Sequence, residues 1–112
     1  MSKIKIHVYL SQDNNILIDD SLSAVFNNNV IKYDDGVINM FDLDKLVLER
    51  ICDDYSLILN FIDCTALYKS FESSLLMHLE VFNKVVDSNS VFIRYKVIES
   101  NLLCEYKISW SV

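Results

Sequence analysis

The chain has 112 residues, of which 52% are apolar and 23% are charged, with one glycine, no proline and a formal net charge of −6. This size supports one domain, residues 1–112, around a single core, and the apolar fraction is typical of a folded chain rather than a disordered one. The negative charge argues against nucleic acid as a partner, because phosphate binding needs a basic surface.

The first predicted strand, residues 3–10, alternates polar residues with apolar ones: Ile4, Ile6, Val8 and Leu10. It contains no continuous apolar stretch, so the sequence predicts neither a signal peptide nor a membrane segment here. The three cysteines form no CxxC pair and are odd in number: Cys52, Cys64 and Cys104. We therefore expect reduced thiols in a cytoplasmic protein that has no metal site, no cofactor and no membrane association.

Clusters of Asn, Asp and Ser interrupt the chain, several at intervals of about 8–12 residues, which is the spacing of turns in an antiparallel β domain. Asn and Asp can replace Gly and Pro in turns because they tolerate the left-handed backbone conformation. Asp35-Gly36 is the one conventional hairpin signal. The adjacent carboxylates Asp19-Asp20, Asp34-Asp35 and Asp53-Asp54 are likewise predicted to lie in turns, where they contribute turn geometry and solubility.

Strict alternation is clearest at the C-terminus, where every second residue of 102–112 is apolar or aromatic. Residues 91–97 alternate in the same way, and Ser100-Asn101 joins the two segments as a hairpin. Residues 55–61 and 75–81 supply two more such stripes. Because alternate residues of a strand point to the same face, the pattern predicts an all-β antiparallel fold.

Two segments leave an α+β interpretation open. Residues 75–86 also fit helical spacing behind Ser74, and residues 43–51 do so behind Asp42. The β-branched Val81, Val85 and Val86 favour a strand for the first of these segments.

Five segments from Asn29 onward carry a resemblance. They are Val30-Ile31-Lys32-Tyr33-Asp34-Asp35, Lys45-Leu46-Val47-Leu48-Glu49-Arg50, Leu67-Tyr68-Lys69-Ser70-Phe71, Phe92-Ile93-Arg94-Tyr95-Lys96-Val97 and Leu103-Cys104-Glu105-Tyr106-Lys107-Ile108-Ser109. In order and spacing they resemble the YwiB-like family of bacterial proteins. The resemblance implies an up-and-down, lipocalin-like (calycin) antiparallel barrel of about eight to ten strands, and it implies no activity. Ile51-Cys52 and Glu72-Ser73 stand where that family tends to have glycines, so the tight turns differ from its pattern.

Arg50 is the first candidate site residue. It shares its strand face with Leu46 and Leu48, which points it into the barrel. An inward guanidinium stays charged and needs a carboxylate, carbonyl groups or a ligand anion to offset its desolvation. We expect either a structural pair with Glu72 or another carboxylate at the barrel end, or recognition of an anionic ligand.

Four inward-facing aromatic residues complete the candidate ligand site: Tyr68, Tyr95, Tyr106 and Trp110. Their phenol and indole polar atoms would orient a small molecule inside the barrel. The alternative is that these side chains simply fill the core, as they can in a barrel of this size.

The two histidines, His7 and His78, lie on the charged faces of their strands and are expected to be solvated. A Ser–His–Asp triad also needs a nucleophile on a strained turn and a prepared oxyanion site, and no Gly-rich elbow is present. The sequence therefore predicts no catalytic residue.

Many large apolar residues take the outward parity: Ile38, Met40, Val47, Ile58, Ile62, Leu67, Phe71, Leu76, Phe82, Phe92 and Ile98. If several cluster, they form a surface for a protein partner or for a second copy of the chain. Alternatively, a β-bulge shifts the parity of a strand and moves part of this set into the core.

The sequence thus predicts a non-catalytic barrel that binds a small apolar or amphipathic ligand inside, or a protein partner on an outer face. A hydrolase that uses His7 or His78 together with Arg50 is the alternative, and a structural subunit of a larger assembly is a third.

Overall fold

The computed structural model describes residues 2–111, which form ten antiparallel strands. They are β1 (Ser2–Gln12), β2 (Asn15–Asn27), β3 (Val30–Asp34), β4 (Ile38–Asp42), β5 (Val47–Ile51), β6 (Tyr55–Asn60), β7 (Thr65–Ser70), β8 (Ser74–Val86), β9 (Ser90–Val97) and β10 (Leu102–Ser111). Strand β8 covers residues 75–86 and strand β5 covers residues 47–51, with residues 43–46 in a turn. Neither of the two segments for which the sequence left a helix open is therefore helical.

Each strand pairs with its neighbours in the chain, and β1 pairs with β10, so the sheet closes on itself. The predicted all-β, up-and-down antiparallel barrel is therefore confirmed, at the upper limit of the expected strand number. Residues 2–111 contain no helix of the length and apolarity that crossing a membrane requires.

The inner face of the barrel carries residues of the predicted alternation, such as Val8, Ile93, Tyr106 and Ile108, together with residues of β3, β4 and β7, where no alternation was predicted. Side chains from strands on all sides of the barrel are fully buried there: Val8, Ile31, Phe41, Ala66, Ile93, Tyr106 and Ile108. Burying this apolar surface supplies the main favourable contribution to the free energy of folding. The interior is thus occupied by side chains over most of its length.

The turns alternate between two ends of the barrel. We call the end that carries the β3–β4 turn the upper end; the β1–β2, β5–β6, β7–β8 and β9–β10 turns lie at the same end. Asn and Asp do adopt the left-handed conformation that the sequence assigned to them, at Asp13, Asn14, Asn28, Asn29 and Asn101. Gly36 has a φ of 102°, which favours glycine in the β3–β4 turn.

The prediction of a turn at Asp19-Asp20 is wrong, since β2 runs through both residues without a break. Asp19 lies opposite Tyr9 and Asp20 opposite Val8 on β1. In the described chain β3 pairs only with residues 24–27 of β2, so residues 15–23 have a strand on one side alone. Their side chains are mostly exposed, and carboxylates are tolerated there because they remain hydrated.

Candidate functional site

One row of inward residues runs around half of the barrel near its upper end. Successive pairings link Tyr33 to Asn39, Asn39 to Arg50, Arg50 to Leu57, Leu57 to Tyr68, and Tyr68 to Leu75. We call these six residues the inner row. Directly paired residues lie on the same face of a sheet and contact one another, so the row is a continuous surface.

Exposure rises from one end of the inner row to the other. Tyr33 is 3% exposed and Asn39 is fully buried, whereas the Arg50 side chain is 19% exposed. Leu57 and Tyr68 are partly buried, and Leu75 is 56% exposed. The barrel is therefore closed over β3 and β4 and open over β7 and β8.

Arg50 points inward, as the sequence predicts, and its counter-charge is Asp35 in the β3–β4 turn. The Arg50 Nη1 atom lies 3.5 Å from Asp35 Oδ2, and the Asp35 side chain is only 3% exposed. Of the two expected counter-charges, Glu72 is wrong, because that residue is exposed in the β7–β8 turn. The other expectation, a different carboxylate at the barrel end, is met by Asp35, which lies beside Arg50 because β4 pairs with both β3 and β5. Asp35 is thus a buried counter-ion as well as a turn residue: its predicted role in turn geometry holds, and its predicted contribution to solubility is wrong.

Asp35 is held in place by hydrogen bonds to its Oδ1 atom. The backbone N–H of Val37 donates to this oxygen at 3.2 Å, and the Asn39 Nδ2 group donates to it at 3.0 Å. Asn39 Nδ2 also donates to the carbonyl oxygen of Val37 at 2.8 Å. The turn and the first inward residue of β4 therefore fix the carboxylate together.

Three buried polar atoms at the closed end of the row have no hydrogen-bond partner within residues 2–111: Asp35 Oδ2, Asn39 Oδ1 and Arg50 Nη1. The contact between Arg50 and Asp35 is close enough for an ion pair, but it lacks the alignment of a hydrogen bond. Unsatisfied buried polar atoms carry a desolvation penalty of about 1–3 kcal/mol each. A cluster of three therefore indicates an environment suited to a further polar group.

Two tyrosines border this cluster. The hydroxyls of Tyr33 and Tyr106 share a hydrogen bond of 2.9 Å across the barrel interior. Burial raises the pKa of Tyr33 to about 12; Asp35 adds to the rise, while the bond to Tyr106 and the charge of Arg50 oppose it. Burial also raises the pKa of Tyr106 well above its usual value. Both phenols therefore stay neutral near pH 7.

Of the predicted site residues, Arg50 and Tyr68 lie together on the inner row. Tyr106 reaches the row through Tyr33, and Tyr95 packs in the core with its ring 5.1 Å from that of Phe61. Burial, followed by the neighbouring Cys104, raises the pKa of Tyr95. Trp110 lies four residues along β10 from Tyr106, roughly 13 Å nearer the lower end, and so is outside this site.

The open end of the row meets the surface through Tyr55. This side chain is 40% exposed, and its ring stacks on Tyr68 at a centroid distance of 5.2 Å. Tyr55 also lines an open depression of about 270 Å³ between the β5–β6 and β7–β8 turns, together with Ile51, Cys52 and Phe71. This depression borders the inner row through Tyr55, but no residue of the inner row lines it.

Both histidines lie on the outer face, as predicted. The His7 ring nitrogens lie 3.1 Å from Ser21 Oγ and 2.7 Å from Asp19 Oδ1. His78 Nδ1 lies 2.6 Å from Glu99, whose carboxylate pKa is lowered by that hydrogen bond. Since Arg50 is on the inner face, the sheet wall separates it from the two histidines. In the described part of the chain, no group of three His, Cys, Asp or Glu residues is arranged to hold a metal ion.

Part of the predicted outer apolar set does cluster. On the outer face, Ile58 of β6 pairs with Leu67 of β7, which pairs with Leu76 of β8. On the other side Ile58 pairs with Glu49 of β5, which pairs with Met40 of β4. We call Met40, Ile58, Leu67 and Leu76 the outer apolar band. A β-bulge does interrupt the register of β8 at Phe82, but Phe82 remains 51% exposed and no member of the predicted outer set is buried. The alternative that a bulge moves part of this set into the core is therefore wrong.

The sequence did not indicate Asp35, Asn39 or Tyr33 as site residues. Asp35-Gly36 is a conventional hairpin signal, so the sequence explained Asp35 as a turn residue and gave no indication that it is also the counter-ion of Arg50. Asn39 had a detectable signal, since it is a polar residue on the same parity as the buried Phe41. A polar residue on a core-facing parity usually has a specific partner.

The fold is that of a closed, ten-stranded up-and-down β-barrel. It is similar to the crystal structure of the ywiB protein from Bacillus subtilis, with a TM-score of 0.50, 13% sequence identity, and coverage of 98% of this chain and 91% of that one. At this level of identity the similarity shows the fold alone. No family model matches the sequence, and no curated protein matches it.

Proposed function

We propose that this protein is a non-catalytic barrel that binds an amphipathic small molecule at its upper end. We also propose that it belongs with the YwiB-like proteins among the lipocalin-like (calycin) barrels, a placement supported by its fold and by the segments from Asn29 onward. Its three free cysteines support a reducing, cytoplasmic location.

One observation carries the binding proposal: unpartnered polar atoms lie at the closed end of a row whose other end is apolar and exposed. Arg50, Asp35 and Asn39 provide the polar atoms. Tyr68 and Leu75 provide the apolar surface, with Tyr55 stacked beside them. Small-molecule sites commonly combine a mostly apolar lining with a few fixed polar groups.

In the proposed complex the polar group of the ligand lies beside Arg50 and Asn39. Its apolar part lies over Leu57 and Tyr68 and leaves the barrel past Leu75. Phe71, which is 95% exposed in the β7–β8 turn, is placed to cover the part that emerges. Covering these side chains removes apolar surface from water and provides the driving force for binding.

The uncharged dye Nile red tests the location, because its fluorescence rises in an apolar environment. Leu75→Asn is expected to weaken dye binding roughly tenfold, since the apolar contact is worth about 1.5 kcal/mol. Leu76→Asn is the matched control, because Leu76 is 53% exposed on the outer face of the same strand. Its dissociation constant should equal that of the unchanged protein.

Two results would contradict the proposal. Absence of dye binding by the unchanged protein removes the upper-end site altogether. A larger loss of binding in Leu76→Asn than in Leu75→Asn places the dye on the outer apolar band instead. Thermal unfolding of both variants shows whether either substitution has altered the fold.

A second function is favoured by the outer apolar band, where three large side chains from adjacent strands lie together on the surface. Such a surface suits a protein partner or a second copy of the chain. Native mass spectrometry of the purified chain distinguishes the two functions. One subunit with a retained small molecule supports ligand binding, and two subunits without retained mass support the outer-face interaction.

A further inference from the structure

The chemistry of the closed end specifies what kind of polar group fits there. We infer that the ligand carries a neutral group in which a hydrogen-bond donor sits beside an acceptor, as in a carboxamide, rather than a carboxylate or an ammonium group. The inference rests on the proposed function and names the class of ligand for that same site. It follows from the unpartnered atoms of Asp35, Asn39 and Arg50.

The three unpartnered atoms require a ligand group that offers both hydrogen-bond donors and a hydrogen-bond acceptor. Arg50 Nη1 can only donate, whereas Asp35 Oδ2 can only accept when ionised. The orientation of Asn39 is determined by its surroundings: its Nδ2 group faces two acceptors, the Val37 carbonyl and Asp35 Oδ1. Its Oδ1 atom is therefore the free end, and it also accepts. A group with N–H beside C=O matches this set, since it offers donors to the two oxygens and an acceptor to the guanidinium.

The charge balance of the site excludes the charged alternatives. Arg50 and Asp35 compensate each other at 3.5 Å, with the carboxylate almost completely buried. A ligand carboxylate would lie beside the Asp35 carboxylate, and a ligand ammonium beside the guanidinium. Either would add an uncompensated charge to a poorly solvated site, which is strongly unfavourable. A neutral group avoids this penalty.

The other polar groups nearby are already occupied. The Tyr33 and Tyr106 hydroxyls bind each other, and Asp35 Oδ1 accepts two hydrogen bonds. Among the buried polar atoms of this end, only the three unpartnered ones therefore still need a hydrogen-bond partner. A buried water could meet the same demand, because it also both donates and accepts. The experiment must therefore separate a bound ligand group from water alone.

Octanamide and octanoate are suitable probes, since they have the same chain length and differ only in the polar group. Their dissociation constants at pH 7 are measured by calorimetry, and the side-chain signals of Asn39 and Arg50 are followed by NMR. Octanamide is expected to bind at least about tenfold more tightly than octanoate and to shift both signals, because like charges beside Asp35 oppose the carboxylate.

Asp35→Asn is the decisive variant, because it leaves Arg50 without a counter-charge at almost constant volume. The preference is expected to reverse, with octanoate binding the more tightly by roughly tenfold. Asp34→Asn is the matched control: Asp34 is the exposed last residue of β3, next to Asp35, and the variant should keep the original preference. Should Asp35→Asn fail to fold, the comparison of the two probes on the unchanged protein still decides the inference.

The failing outcomes are distinct. If octanoate binds the unchanged protein as tightly as octanamide, the site is an anion site; the inference is then wrong while the proposed function stands. If octanamide binds without shifting the Asn39 and Arg50 signals, the closed end holds water only, and the inference is again wrong. If neither probe binds, the inference and the proposed function both fall.

Discussion

Among the single residues, the inward-facing Arg50 needs explanation, together with the groups that compensate its partly buried charge. Arg50 stands among apolar side chains, so its charge has little water to stabilise it. Asp35 supplies the opposite charge, and Asn39 and the Val37 N–H hold that carboxylate in place. Three of its buried polar atoms lack hydrogen-bond partners within residues 2–111, and this under-bonding is the physical basis of the proposed ligand site.

Arg50→Met tests the ion pair. The substitution leaves the Asp35 carboxylate buried without a partner, so we expect the free energy of unfolding to fall by about 3 kcal/mol. Arg50→Met combined with Asp35→Asn should recover part of this loss, because no charge is then buried. Arg94→Met on the exposed face of β9 is the control and should stay within about 0.5 kcal/mol. Equal effects of the two arginine substitutions in urea unfolding would show that the pair is not buried.

The buried tyrosines make stability fall at alkaline pH. Burial raises the pKa of Tyr33 to about 12, and burial also raises those of Tyr95 and Tyr106. These phenols keep their protons in the folded state when those of the unfolded chain, near pH 10, are already lost. The stabilisation is therefore complete below pH 10 and is lost as the pH rises through about 12. Urea midpoints at several pH values, with phenolate absorbance at 295 nm, measure it; a constant midpoint up to pH 12 would contradict the prediction.

At the scale of elements, strands β2 and β8 are longer than the strands that flank them on one side. Residues 15–23 of β2 pair with β1 only, and residues 80–86 of β8 pair with β9 only, within the described chain. Free strand edges invite another chain to add to the sheet, and inward-pointing charges and bulges prevent it. Here Asp20 lies opposite the inward Val8 and Lys84 opposite the inward Ile93, and β8 also carries a bulge at Phe82.

Removal of these charges should promote self-association. Asp20→Val and Lys84→Val each make a free edge apolar on its inner face, so we expect dimers or larger species in sedimentation velocity. Lys107→Val is the control, because β10 is paired on both sides and offers no free edge. If the control associates as strongly as the two edge variants, general surface hydrophobicity rather than edge pairing is responsible.

At the scale of the whole molecule, the barrel consists of five long strands closed by five short ones. Strands β8, β9, β10, β1 and β2 form the long half, and β3 to β7 bridge it from the lower part of β2 to the upper part of β8. Closure also depends on β1 and β10, which come from opposite ends of the sequence. The long half therefore has a fully paired centre and two partly unpaired borders.

Hydrogen exchange should follow this pattern. Backbone amides of β1, β9 and β10 are expected to exchange most slowly, because these strands are paired on both sides and carry much of the core. Residues 15–23 of β2 and 80–86 of β8 are expected to exchange much faster, since they have a partner on one side alone. Peptide-resolved exchange with mass spectrometry measures both classes. If the amides of residues 15–23 and 80–86 were as protected from exchange as those of β10, another chain would have to cover the free edges.

The bulge in β8 shows how local patterns can be ambiguous. Leu79 and Val81 face inward, and after the bulge the inward positions shift to Lys84 and Val86. The extra residue lengthens one spacing, from Val81 to Lys84, to three. The segment also carries large apolar side chains on its outer face, and the combined set fits helical spacing. The sequence alone therefore left this segment open, and pairing with β7 and β9 resolved it.

Side-chain alternation alone was enough to predict strands β1, β6, β9 and β10, their inner faces and the inward direction of Arg50, because alternation is a local property of an extended chain. The sequence by itself also determined that Asn and Asp form most of the turns. Strand pairing, in contrast, was needed to show that Asp35 rather than Glu72 compensates Arg50, that Asp19-Asp20 lies within a long strand, and that Trp110 is far from the inner row. These features depend on which strands pair and by how many residues they are staggered, and contacts between distant segments set both.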